Sequence, residues 1–134
     1  MTGIVERALR EDAADNDTTT ALLVGEKARG RAVIRAKAAG VVSGQRCARE
    51  VFALLDESVE YDPLKRDGSS VREGGIVAEL RGNIRPILTG ERTALNFLQH
   101  LSGIATSARR FVERIEGTGA VILDTRKTLS LIHI

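Results

Sequence analysis

Glu91-Arg92-Thr93-Ala94-Leu95-Asn96-Phe97-Leu98-Gln99-His100-Leu101-Ser102-Gly103-Ile104-Ala105-Thr106 sets the frame for the whole chain. Ala94, Leu95, Leu98, Leu101, Ile104 and Ala105 recur at helical spacing and make one apolar stripe, with Asn96, Gln99, His100 and Ser102 between them. The Ser102-Gly103 pair is expected to interrupt this helix. A second helix is expected to run on to residue 115, with Ala108, Phe111, Val112 and Ile115 turned inward. Glu113 then falls in ion-pair register with Arg109 and Arg110, each pair contributing only ~0.3–0.5 kcal/mol. Gly117-Thr118-Gly119 follows, and then the apolar run 120–123, which ends in Asp124-Thr125-Arg126-Lys127-Thr128. A short apolar run bounded by glycine and charge suits a strand buried on both faces, as in a parallel sheet. Cations at the C-terminal end of such a strand sit where α/β folds place ligand chemistry.

Before this stretch the pattern is mixed. Ile4, Val5, Ala8 and Leu9 form a short helical stripe, and Glu11-Asp12 closes it. Asp17-Thr18-Thr19 reads as a turn or helix cap, because these side chains bond to nearby backbone. Residues 30–39 alternate cations (Arg31, Arg35, Lys37) with Ala32, Ile34, Ala36 and Ala38, Val33 being the exception. That is a half-exposed strand with its cations outward. Ser43 is expected to cap a helix whose buried side is Cys47, Ala48, Val51, Phe52, Leu54 and Leu55. Short strands follow around Val59 and Tyr61 and over residues 76–80, separated by glycine-rich turns. Pro86 suits the first turn of the long helical region.

Composition excludes several classes. The chain has 134 residues, 43% apolar and 28% charged, with 20 basic and 18 acidic side chains and a formal charge of +2. This is room for one domain with a core, hardly for two. A near-neutral balance with Phe52, Tyr61, Phe97 and Phe111 as the aromatics gives no basis for nucleic-acid binding. Cys47 is the single cysteine, so an internal disulfide is impossible and a reducing cytoplasm is expected. No apolar run reaches membrane-spanning length, and no membrane partner is expected.

The segments E-R-T-A-L-N-F-L, L-S-G-I-A-T and D-T-R-K-T, in this order, resemble the quinolinate phosphoribosyltransferases, or carboxylating nicotinate-nucleotide pyrophosphorylases. The resemblance extends back, more weakly, to about Ala8 and includes an E-D…D-x-T-T segment at residues 11–20. It implies a fold: an α+β N-terminal α/β sandwich with a hammerhead-like sheet over residues 1–102. The first helix and strand of an α/β (TIM-like) barrel would then occupy residues 103–134.

The resemblance also implies a reaction. The ring nitrogen of quinolinate is joined to C1 of phosphoribosyl pyrophosphate, pyrophosphate leaves with Mg²⁺ assisting, and the 2-carboxylate departs as carbon dioxide. The product is nicotinate mononucleotide, in NAD biosynthesis. By the same resemblance Arg92 reaches across a homodimer interface to the neighbour's quinolinate. Thr125, Arg126 and Lys127 line that site, with Lys127 as its catalytic residue. The residue types fit the task, since a dianion leaves water only for matched cations and arginine offers a planar fork for a carboxylate. Read by themselves, Arg92 is a surface helix arginine and Arg126-Lys127 a charged turn.

After Thr128 the family continues T-P-G-x-R, whereas this chain reads Leu129-Ser130-Leu131-Ile132-His133-Ile134. A barrel of this kind takes ~200 residues or more. The expectation is a truncated product, inactive alone, in which the family's metal site is missing. Two other readings stand beside it: a pyrophosphorylase-like paralogue associated with molybdate transport, and a non-catalytic dimerisation or regulatory module.

Overall fold

The structure, a computed structural model, describes residues 2–12, 14 and 17–123. In chain order the elements are α1 (Thr2–Glu11), α2 (Thr18–Leu23), β1 (Arg29–Arg35), β2 (Gly40–Val41), α3 (Gln45–Leu55), β3 (Glu60–Pro63), β4 (Ser70–Val71), β5 (Ile76–Asn83) and α4 (Ile84–Ile115).

The alternation in β1 does what the sequence predicts. Arg29, Arg31, Val33 and Arg35 are exposed, while Ala32 and Ile34 turn toward the core. β5 lies between β1 and β3, antiparallel to both. Register sets Ala32 and Tyr61 on either side of Leu80, so one sheet face is apolar. On the other face Glu79 accepts a hydrogen bond from Arg31, and Arg81 stands 3.6 Å away. These guanidinium partners hold the Glu79 carboxyl below its ordinary pKa.

The apolar face is covered by α3 and α4, with Val5 and Leu9 of α1 closing one end. Phe52, Leu80, Val51 and Val5 are fully buried, each contributing ~1.5–3 kcal/mol of apolar burial. Gly90 lets the two large helices meet: a Cβ there would lie 2.8 Å from Leu55 Cδ1 and 3.0 Å from Val51 Cγ1. A polar pair crosses this core. The Tyr61 hydroxyl donates to Gln45 Oε1, and Gln45 Nε2 donates to the Lys65 carbonyl at 2.7 Å. Burial raises the Tyr61 hydroxyl pKa, so the neutral donor is maintained.

Several expectations change. The α3 N-cap is Gly44, at φ 106°, and not Ser43; the Gln45 amide is satisfied by Asp67 Oδ1 at 3.1 Å. A cap from a side chain far along the chain leaves no local signature. Leu54 of α3 is exposed. Ser102-Gly103 does not break the helix: α4 is continuous from Ile84 to Ile115. Ser102 acts as a clip, its Oγ donating to the Ser43 carbonyl at 3.1 Å and accepting from the Ser43 amide at 2.9 Å. One turn on, Thr106 Oγ1 accepts from the Val41 amide at 2.9 Å. Two tertiary clips offset the modest helix cost of one glycine.

Beyond this seam Phe111 and Val112, expected inward, are exposed. Arg109 donates to the Gly68 carbonyl at 3.4 Å, a partner the surface-pair register does not anticipate. Residues 120–123 adopt no strand. A parallel strand exists only with neighbours to supply its ladder bonds, and every strand pair among the described residues is antiparallel. The fold shown is therefore a mixed α+β unit, without a closed barrel among the described residues. No helix of the described residues is long and apolar enough to cross a membrane.

Candidate functional site

α4 begins where the sequence asks it to. Asn83 is its N-cap, Oδ1 accepting from the Arg85 amide at 3.1 Å, and Pro86 follows within the first turn. Arg85 then reaches back to the end of α2, its Nε donating to the Val24 carbonyl at 2.8 Å and its Nη2 to the Ala21 carbonyl at 2.9 Å. These bonds satisfy carbonyls that a short helix leaves open, and lay α2 across the start of α4.

Thr89, Arg92 and Thr93 share one face of α4, being three and four residues apart. Two acids from before β1 meet that face. Asp17 caps α2, its Oδ1 accepting from the Thr20 amide at 3.0 Å, as the sequence predicts. Its Oδ2 accepts from Thr89 Oγ1 at 2.8 Å. The bonds from Thr20 and then Thr89, with the more distant Arg92 charge, hold the Asp17 carboxyl below its ordinary pKa. Asp12, just past α1, accepts from Arg92 Nη1 at 3.0 Å with Oδ1 and from Thr93 Oγ1 at 3.3 Å with Oδ2.

The two partners of the Arg92–Asp12 pair differ in exposure. The arginine side chain is 77% exposed and the aspartate 20%. So exposed an ion pair adds little to stability, typically ~0.2–1 kcal/mol. The guanidinium is thus presented to solvent, with one nitrogen hydrogen-bonded to Asp12 and donors remaining for a planar anion. Beside it an open groove of about 1150 Å³ lies between Glu11 and Asp12 on one wall and Thr93, Asn96, Gln99 and His100 of α4 on the other. His100 is solvent-facing.

Of the residues the sequence assigns to the site, Arg92 is placed as described. Thr125, Arg126 and Lys127 lie outside the described residues. Asp12 was missed as an Arg92 partner. The sequence shows it as the end of a helical stripe, and the contact joins positions 80 residues apart. For the Mg²⁺ that the resemblance implies, the described residues do not fit. No group of three His, Cys, Asp or Glu side chains converges among them, and Asp12 and Glu79 are engaged by arginines.

Comparison with known proteins gives one answer. Residues 17–102 match the family described as quinolinate phosphoribosyl transferase, N-terminal domain. A probable carboxylating nicotinate-nucleotide pyrophosphorylase of Synechocystis is 41% identical over 124 residues, covering 92% of this chain and 42% of the relative. A Bacillus subtilis protein of the same description is 41% identical over 118 residues, covering 88% of this chain and 40% of the relative. The nicotinate-nucleotide pyrophosphorylase structure from Francisella tularensis superposes with a TM-score of 0.88 at 38% identity, over 96% of this chain and 46% of that one. The chain therefore spans less than half the length of the proteins it matches.

Proposed function

This chain belongs to the quinolinate phosphoribosyl transferase family through its N-terminal domain, and from that premise we propose that it serves phosphoribosyl transfer to quinolinate. The reaction joins quinolinate to phosphoribosyl pyrophosphate and yields nicotinate mononucleotide, pyrophosphate and carbon dioxide, in NAD biosynthesis in the cytoplasm. Residues 1–102 supply the hammerhead-like N-terminal sandwich, and residues 103–134 lead into an α/β barrel. The working unit is a homodimer. Arg92 of one protomer meets a carboxylate of the quinolinate held by Thr125, Arg126 and Lys127 of the other, with Lys127 at the reacting end.

One observation carries this reading. Arg92 is an arginine held through one guanidinium nitrogen by Asp12 yet turned outward, on the surface of α4 rather than into the core. An exposed guanidinium on a rigid helix suits delivery of charge to a ligand bound elsewhere, and a twofold axis supplies that second site. A charge-assisted hydrogen bond to a carboxylate contributes ~1.5–3 kcal/mol. Arg92→Ala should therefore weaken quinolinate binding by about ten- to a hundredfold.

Titration calorimetry with quinolinate on the chain and on Arg92→Ala tests this. Equal affinities for the two would remove Arg92 from the site. A dimer with no measurable quinolinate binding would favour a non-catalytic dimerisation module.

A further inference from the structure

We propose that Asp12 is a positioning residue for Arg92, fixing its guanidinium so that its free N–H edge is presented to a ligand carboxylate. This rests on the assignment of Arg92 to quinolinate binding.

Three observations support it. Asp12 is itself held: Oδ2 accepts from Thr93 Oγ1 at 3.3 Å, and Thr93 is buried on α4, so the carboxylate is referenced to the helix that carries Arg92. Its Oδ1 takes Nη1 of Arg92 at 3.0 Å. Finally, the pair is asymmetric, with a 20% exposed carboxylate gripping a 77% exposed guanidinium. A half-buried anchor with an exposed head is what pre-organisation requires. A free arginine loses several rotors on meeting an anion, and a tethered one has already lost part of that freedom.

Asp12 also sets a limit. Its negative charge lies beside the incoming dianion, so its geometric contribution and its Coulombic effect oppose each other. Asp12→Asn separates the two, because the amide oxygen still accepts from Nη1 while the charge is removed. Asp12→Ala removes both.

The experiment is a double-mutant cycle on quinolinate affinity, using the full chain with Asp12→Ala, Asp12→Asn, Arg92→Ala and Asp12→Ala/Arg92→Ala, read where all remain folded. Asp12→Ala should weaken binding about tenfold, equivalent to ~1.4 kcal/mol. Asp12→Asn should bind severalfold more tightly than Asp12→Ala, and once Arg92 is alanine Asp12→Ala should no longer weaken binding, only the relief of its like charge remaining. A merely structural Asp12 would weaken binding equally in both backgrounds, and that additivity overturns the proposal. Unchanged binding in Arg92→Ala overturns instead the assignment of Arg92 beneath it. The unliganded chain gives an independent check by side-chain ¹⁵N NMR. Arg92 should show slowed guanidinium rotation that Asp12→Ala abolishes, and free rotation in the unaltered chain refutes the tether.

Discussion

The two halves of α4 share one backbone and lead different lives. From Ile84 to Ser102 the helix faces the domain, burying Ile87, Gly90, Thr93, Ala94 and Leu98 against α3 and the sheet. From Gly103 to Ile115 the same apolar periodicity continues, yet Ile104, Phe111 and Val112 are exposed. Periodicity thus reports which face a helix would bury, and packing decides whether anything is there to bury it against. The family match also ends at residue 102, inside this unbroken helix.

The comparison is broken most sharply by truncating one apolar side chain in each half. Leu98→Ala should cost ~2–5 kcal/mol and Phe111→Ala no more than ~0.5 kcal/mol, both measured by urea unfolding. Similar losses would mean that the second half is packed as tightly as the first.

The glycines give a test of opposite signs. At Gly90 an added methyl meets Leu55, Val51 and Phe52 at 2.8 to 3.1 Å, so Gly90→Ala should destabilise by ~1–3 kcal/mol less the ~1 kcal/mol gained in helix propensity. At Gly103 nothing lies within 4 Å, so Gly103→Ala should stabilise by ~0.5–1 kcal/mol. Thermal midpoints moving in the same direction would contradict this account of the packing.

The seam between the halves carries a smaller effect. Ser102→Ala leaves the half-buried Ser43 amide without its partner and should cost ~0.5–1.5 kcal/mol. Faster amide exchange at Ser43 would be its local signature.

Acid should loosen the Asp17 cap, which docks α2 on the first half of α4, and the Glu79 ion pairs of the sheet. The Asp17 and Glu79 carboxyls lie below their ordinary values of 3.8 and 4.5 in the folded chain. Their stabilisation is therefore complete above those values and is lost as pH falls through the lower folded ones. Asp17→Asn should flatten part of that acid limb in a pH series of thermal unfolding. An unchanged limb would show that the cap does not titrate with folding.

What could be read ahead of the structure follows from distance along the chain. The cations of β1, the Asp17 cap and Pro86 in the first turn of α4 are local patterns, and each appears as expected. Gly44 with Asp67 at the start of α3, Ser102 with Ser43 and Arg92 with Asp12 are pairs from separate parts of the chain, and no local pattern announces them. The break expected at Ser102-Gly103 failed for the same reason, because tertiary clips outweighed a weak local preference. At the site, resemblance singled out Arg92 and the structure added what holds it.

Mixing two defective chains tests most directly whether Arg92 serves a neighbour's ligand. One partner carries Arg92→Ala and the other Arg126→Ala with Lys127→Ala, so each homodimer lacks one part of every quinolinate site. In equal mixture, random exchange should restore binding to about a quarter of the sites, the statistical yield of mixed twofold dimers. Mixed dimers that recover no quinolinate binding would contradict an arginine acting across the interface.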